Sequence, residues 1–355
     1  MPPATVLLVT ADETLLEDLL RLAAASGAAL DVAHDTGSAL RSWSGPPVVL
    51  VGVDQASPLA GWRPPLRDQV HVVGHAPMAD GVFRSALGVG AQNVVELPAG
   101  EGWLVELLTD AADGAAGAAL TIGVVGGSGG SGATTFACAV GVVAAWRTPA
   151  ALVDLDPLGP GADRVVGLED TAGIRWDALL ESAGRLGARS LRRALPHRQD
   201  LAVLTWGPVG SRTLEPSVVG EVLSAAQRGH GLVVLDLPRQ SHDSADHALT
   251  RCDHVVLLAG LSLPAVASAA RVADRLRQTA PSVHLAARAG GSGSLDPRRV
   301  ADMLGLPLLA TVADQRRLGE HVDLGLGPVH SRRGPLARAA RDVLGGLAGS
   351  GVPPR

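Results

Sequence analysis

Hydrophobic and polar positions alternate along this chain in two successive rhythms. From Thr5, short β-branched or apolar runs (TVLLV, PVVLVGV at 47–53, HVV at 71–73 and NVVEL at 93–97) are separated by helical patterns such as Glu13–Ala25. This alternation predicts parallel strands covered by helices, and a span of about 115 residues suits one small doubly wound domain. The segment Asp110–Ala119, DAADGAAGAA, interrupts the rhythm with small residues and reads as a linker with a helical start. A second series follows: LTIGVV from Leu120, ALVDLD (151–156), LAVLTW (201–206), GLVVLDL (231–237), HVVLLAG (254–260), SVHLAA (282–287) and LLATV (308–312). The pattern therefore divides the chain into a domain at 1–109, a linker at 110–119 and a larger α/β domain at 120–355.

Two helices of the second series are informative. The stretch 264–278 places Val266, Ala270, Val272, Ala273 and Leu276 near one face with arginines on another, as expected of a helix layered on a sheet. Near the C-terminus, PLARAARDVLGGLAG sets Leu336, Ala340, Val343, Leu344 and Leu347 on one side. That helix is short and weakly basic, which favours packing over insertion into a membrane surface.

Composition narrows the class. Of the 355 residues, 46% are hydrophobic and 18% charged, so the chain has material for buried cores and no disordered composition. The net charge of −5 argues against a charge-driven grip on nucleic acid. All 30 basic residues are arginine, the bias of a GC-rich genome. Cys138 and Cys252 are far apart and form no CxxC pair, so they predict buried thiols and a reducing compartment. His71, His75, His230, His242, His247 and His254 show no metal-ligand spacing and read as surface or strand-end residues, while Trp176 and Trp206 read as core. No signal-peptide pattern or bilayer-length apolar run is present, and the expected location is the cytoplasm.

The candidate chemistry lies in TIGVVGGSGGSGATTF, which reads as strand, Gly-rich turn and helix start. Residues Gly127 to Thr134 match GxxxxG[K][ST] with Ala133 at the lysine position. In such a turn glycines let backbone N–H groups point inward, and the following helix N-terminus adds partial positive charge, so phosphate oxygens are held. The candidate cradle is Gly127, Gly129, Gly130, Ser131, Gly132, Ala133, Thr134 and Thr135, with the Thr134 hydroxyl placed for Mg²⁺. A Gly/Ser run alone is more often a linker. Here an apolar strand precedes it, and two acidic strand ends follow downstream: Asp154 with Asp156 in ALVDLDPLGPGAD, and Asp236 in GLVVLDLP. The latter is placed to support Mg²⁺.

On these residues the second domain resembles the MinD/ParA family of deviant-Walker ATPases, whose loop reads KGGxGKTT. The segments Asp154–Gly159 (DxDPxG), Asp236–Pro238 (DxP) and LGLPLLATVADQRRL extend the resemblance from Leu120 to about Leu347. It implies a P-loop NTPase fold with ATP and Mg²⁺ as ligands, Thr134 and Thr135 at metal and phosphate, Asp154 orienting the attacking water and Asp236 supporting the metal. The departures matter. Ser128 replaces the family's signature lysine, Ala133 replaces the loop lysine, and Ala287 with Arg288 stands where Asn-Arg is expected. Losing one charge-assisted phosphate contact costs on the order of 1.5–3 kcal/mol, about ten- to a hundredfold in affinity. The implied site binds ATP weakly and hydrolyses it slowly or not at all.

The first domain resembles a flavodoxin-like response-regulator receiver stripped of its chemistry. Asp12 and Glu13 follow the first strand, Gly52 occupies the acceptor position, Leu97 precedes Pro98, and Asp54 falls two residues late. A degenerate receiver joined to a MinD-like domain is similar to the CpaE/TadZ group. GLEDTAGIRWDAL (167–179) and LPHRQDLAVLTWGP (195–208) resemble its actinobacterial, septum-site-determining branch. The resemblance implies a localisation or regulatory factor that positions septum or Tad-type pilus and secretion machinery. It would act through protein partners, homodimerisation and peripheral membrane contact at pole or septum. The alternative is an active ATPase switch whose nucleotide cycle drives dimerisation and release. A transcriptional role lacks a helix-turn-helix to support it.

Overall fold

The computed structural model describes residues 5–112, 119–180, 186–207, 213–290 and 295–348. Its residues separate into two compact units, one running to Ala115 and also taking in Gly184–Arg189, the other comprising the remainder from Ala116.

The first series forms β1 (Thr5–Val9), α1 (Glu13–Ser26), β2 (Ala29–Ala33), α2 (Thr36–Ser42), β3 (Val49–Gly52), α3 (Val53–Gly61), β4 (Val70–His75), α4 (Gly81–Gly88), β5 (Asn93–Leu97) and α5 (Glu101–Ala112). The strands make one parallel sheet in the order β2-β1-β3-β4-β5. This is the flavodoxin-type winding, in which each right-handed crossover lays a helix on one face or the other. Leu8, Leu50 and Val73 bury one face against Leu15, Leu19 and Leu104; Val9, Val51 and Val72 bury the other with Trp43 and Leu59.

Two details depart from the sequence pattern. Strand β2 escapes it because ALDVA lies at the sheet edge with only Ala33 buried, which leaves no continuous apolar run. The run 47–53 yields a strand only over 49–52, with α3 starting at Val53. Asp110–Ala112 close helix α5, in keeping with a helical start to the linker segment, while positions 113–118 of that segment lie outside the described residues.

The second series forms β6 (Leu120–Gly126), α6 (Ala133–Ala144), β7 (Ala150–Asp154), α7 (Ala162–Val166), α8 (Trp176–Leu180), α9 (Ala188–Ala194), β8 (His197–Arg198), β9 (Leu201–Leu204), α10 (Pro216–Gly229), β10 (Leu232–Leu237), α11 (Asp243–Thr250), β11 (His254–Gly260), α12 (Leu263–Thr279), β12 (Val283–Arg288), α13 (Pro297–Leu304), β13 (Leu308–Val312), α14 (Leu318–Asp323) and α15 (Pro335–Ala348). All seven strands expected from the pattern are present. They run parallel in the order β13-β12-β11-β6-β10-β7-β9, and the two-residue β8 adds an antiparallel edge.

Strand β6 is buried along nearly its whole length between β10 and β11, so the turn that follows it opens at the centre of the sheet's C-terminal edge. Helix α6 leaves that turn and buries Phe136, Ala137 and Val140 in the main core. Helix α15 packs Leu336, Ala340, Val343 and Leu347 into the same core, so its apolar face is spent on packing. In α12, Ala269 is buried together with Ala273, whereas Ala270 is only partly covered. Among the described residues no helix is long and apolar enough to cross a membrane.

Candidate functional site

Strand β6 ends on Gly126 because a side chain there has no room: an added Cβ would lie 2.6 Å from Ser131 Oγ. Gly127 is confined more firmly, since its Cβ would meet the Ala269 Cβ at 2.8 Å and the Leu258 carbonyl oxygen at 3.2 Å, and its N–H donates to that carbonyl at 2.9 Å. Gly130 (φ 69°) and Gly132 (φ 88°) adopt left-handed conformations that let the chain double back into α6. Around Gly129 and Gly130 a Cβ would meet nothing within 4 Å, so the loop is open on that side. No side chain caps α6 at Gly132, which leaves its first N–H groups and its partial positive charge directed at the loop. Ala133, in the lysine position, packs its methyl group against the main core.

The carboxylates reach the same edge from the next two strands. Asp236 on β10 is in register with Val124 on β6 and with Asp154 on β7. Both are buried, at 2% and 0% exposure, yet their surroundings differ. Asp154 spends both oxygens on the chain itself. Oδ1 accepts from the Asp156 N–H at 3.1 Å, and Oδ2 accepts from the Ala162 N–H at 3.0 Å and the Thr205 hydroxyl at 2.7 Å. The Trp176 indole N–H also donates to the Asp154 backbone carbonyl at 2.8 Å. Asp236 Oδ2, by contrast, is buried with no hydrogen-bond partner among the described residues.

Burial raises both carboxyl pKa values. For Asp154 the Thr205 hydroxyl and two backbone N–H groups pull the other way. For Asp236 the neighbouring Asp154 raises it further, and the Thr134 hydroxyl is the hydrogen-bonding group that holds it down. Two buried carboxyl groups side by side repel when both are charged, which favours the proton on one of them or a cation shared by both. The unpartnered Asp236 oxygen beside the Thr134 hydroxyl fits a hard, oxygen-seeking ion such as Mg²⁺.

Beside the loop lies a cavity of about 310 Å³ lined by Ser131, Gly132, Thr135, Phe136, Arg288 and Asp314, among others. Arg288, the last residue of β12, donates from Nη1 to the carbonyls of Ser131 at 2.8 Å and Gly130 at 3.2 Å. In the sequence only the family pattern marks Arg288. A contact across 157 positions leaves no local signal to find it by.

Trp176 is fully buried, whereas Trp206 is half-buried and lines cavities near Leu158 and Pro160. Both cysteines are free and buried. His71, His230 and His254 are buried instead of superficial, two of them at the starts of β4 and β11. In the first unit Asp12 caps α1 by accepting from the N–H groups of Thr14 and Leu15. Asp54 turns back over Gly52, accepting from the Thr10 hydroxyl at 2.8 Å and the Ala11 N–H at 2.7 Å. A Cβ on Gly52 would lie 2.3 Å from Asp54 Oδ1, so this carboxylate fills the space that an acceptor side chain would need.

Comparison with known proteins agrees with this architecture. A family model described as the Rv3660c-like, CheY-like N-terminal domain matches residues 9–119. Protein Rv3660c of Mycobacterium tuberculosis (strain ATCC 25618 / H37Rv) is 39% identical over 348 residues, covering 96% of this chain and 97% of that one. Among solved structures, the MinD cell division protein of Aquifex aeolicus matches with a TM-score of 0.54 at 17% identity, over 67% of this chain and 100% of its own. A ParA family ATPase from Chlorobium tepidum TLS matches with 0.55 at 14%, over 63% and 97%. The septum site-determining protein MinD of Pyrococcus horikoshii OT3, complexed with Mg-ADP, matches with 0.53 at 19%, over 65% and 98%. At such identities the likeness is one of fold: a CheY-like domain followed by a parallel-sheet domain of MinD/ParA type.

Proposed function

The chain belongs to the Rv3660c-like family, and on that premise we propose that it is a MinD/CpaE-like localisation factor that binds ATP with Mg²⁺ weakly and hydrolyses it little. The observation that carries this reading is the pairing of an uncapped, lysine-free phosphate loop with the unpartnered oxygen of buried Asp236 beside Thr134. Gly129, Gly130, Ser131, Gly132, Ala133, Thr134 and Thr135 would hold phosphate through backbone N–H groups and hydroxyls, and Thr134 with Asp236 would hold the metal. Mg²⁺ would neutralise phosphate charge there.

Asp154 is committed to Ala162, Asp156 and Thr205, which supports a scaffolding role for it in place of water activation. A loop with backbone donors and no lysine offers ground-state binding with little extra stabilisation for a transition state. Such a protein reports nucleotide by shape, and we assign it to the placement of septum or Tad-type pilus and secretion machinery, acting through protein partners as a homodimer with peripheral membrane contact at pole or septum.

Calorimetric titration of the full chain with ATP, with and without Mg²⁺, tests the reading. The expectation is Mg²⁺-dependent binding that Asp236→Ala abolishes, with turnover below about one per minute, far under the usual enzymatic range. Absence of binding at ATP concentrations on the order of 1 mM would sink it. Faster turnover that Asp236→Ala removes would establish an active ATPase switch instead.

A further inference from the structure

We infer that Arg288 is the cation of this phosphate loop, holding it from the outer side and supplying the positive charge that Ser128 and Ala133 do not. The inference rests on the nucleotide reading of the loop and names the residue that makes it work.

The geometry is specific to the loop's second half. Arg288 Nη1 takes the Ser131 carbonyl at 2.8 Å and the Gly130 carbonyl at 3.2 Å. In a trans peptide the C=O and N–H point in opposite directions, so a Ser131 carbonyl anchored outward aims the Gly132 N–H to the other side. Gly132 is where the chain turns left-handed into α6, and a Cβ there would lie 3.1 Å from Arg288 Nη1 and 3.8 Å from Cζ. The guanidinium therefore lies directly over the helix entry, and the same glycine that permits the turn also admits the arginine.

The charge is available as well. Among the described residues no carboxylate forms an ion pair with Arg288, although Asp314 lines the same cavity. An arginine that gives one nitrogen to two carbonyls and lines the adjoining cavity acts through the loop and through its field together. The ligand it favours carries phosphate, a nucleoside di- or triphosphate seated with its charged end at Gly129–Thr134. Arg288 is thus a positioning residue that also brings positive charge to the loop, whereas Arg317, which lines the same cavity, is paired with Glu320 at 3.6 Å.

Titration of the full chain with MgADP distinguishes this from a merely structural arginine. Arg288→Gln removes the charge while keeping an uncharged amide donor on a shorter side chain. We expect affinity to fall about tenfold or more while the melting temperature without nucleotide stays unchanged, as for loss of a charge-assisted contact. Adding Ala133→Lys to Arg288→Gln returns a cation to the loop from the other side, and affinity recovers to within about threefold of the parent. The parent's affinity weakens with salt more steeply than that of Arg288→Gln. An Arg288→Gln variant that binds like the parent, or one that Ala133→Lys fails to rescue, overturns the inference and leaves the nucleotide reading standing. A parent chain that binds no MgADP overturns both.

Discussion

At the residue scale, two aspartates in register on neighbouring strands show how little a residue type says about its role. Asp154 and Asp236 are equally buried, yet the first satisfies three donors of the chain and the second leaves an oxygen without a partner. Replacing Asp154 by alanine takes this acceptor from the buried Thr205 hydroxyl and from the part-buried Asp156 N–H, while the Ala162 N–H keeps the Thr205 hydroxyl oxygen at 3.3 Å. Each such group costs on the order of 1–3 kcal/mol, offset in part by relief of a buried charge, so a net loss of about 2–4 kcal/mol is expected. Urea denaturation of the nucleotide-free chain measures it, and a loss under about 0.5 kcal/mol would mean that the three donors find other partners. Gly127 makes a second case. Its Cβ would press on Leu258 and Ala269, backbone included, so Gly127→Ala should disturb the packing of α12 on β11 and destabilise the chain by about 1–3 kcal/mol, the range for overpacking a core.

At the scale of elements, the adjacent strands β11 and β12 begin with a buried histidine pair. His284 Nε2 lies 3.3 Å from His254 Nδ1 and 2.8 Å from Ser282 Oγ. Burial pushes the His284 pKa down to about 4, with His254 adding to the effect, and burial lowers His254 as well, against the pull of Asp253. A folded-state pKa below the unfolded value near 6.5 means that the fold holds the neutral ring. The contribution to stability is complete above about pH 6.5 and is lost as pH falls toward 4. Stability should drop over that window by on the order of 1 kcal/mol, solvent screening included, and His284→Gln should flatten the drop. An unchanged pH profile in the variant would show that the pair is solvated in solution.

The same strands show what the sequence made legible. Runs such as HVVLLAG and GLVVLDL declare central parallel strands because both faces are covered, and the ends of β7 and β10 bring Asp154 and Asp236 side by side as their order along the chain implies. Strand β2 has half-exposed side chains and β8 has only two residues, so neither carries a periodic signal. The partners of Asp154 come from positions 162 and 205, and the loop's cation comes from position 288, distances at which no local pattern operates. Position 133 was readable as the lysine's place, but not that its methyl group would be drawn into the main core.

At the scale of the whole molecule, each sheet has its own buried core. Val6, Leu50 and Leu104 belong to one, and Val124, Phe136 and Val343 to the other. Domains with separate cores unfold as separate cooperative units. Differential scanning calorimetry of the full chain should therefore resolve two transitions, and perturbations of the proposed nucleotide site should move only one of them. MgADP at about one hundred times its dissociation constant adds roughly 2.7 kcal/mol to a unit that binds it when folded and not when unfolded, and so raises that transition. Asp154→Ala should lower the transition that MgADP raises and leave the other in place, because Asp154 and its donors all lie within the second sheet and its connecting loops. If a single transition appears, or if both shift together with MgADP, the CheY-like domain is energetically coupled to the proposed nucleotide site. The first domain would then be a reader of that site, not merely its neighbour along the chain.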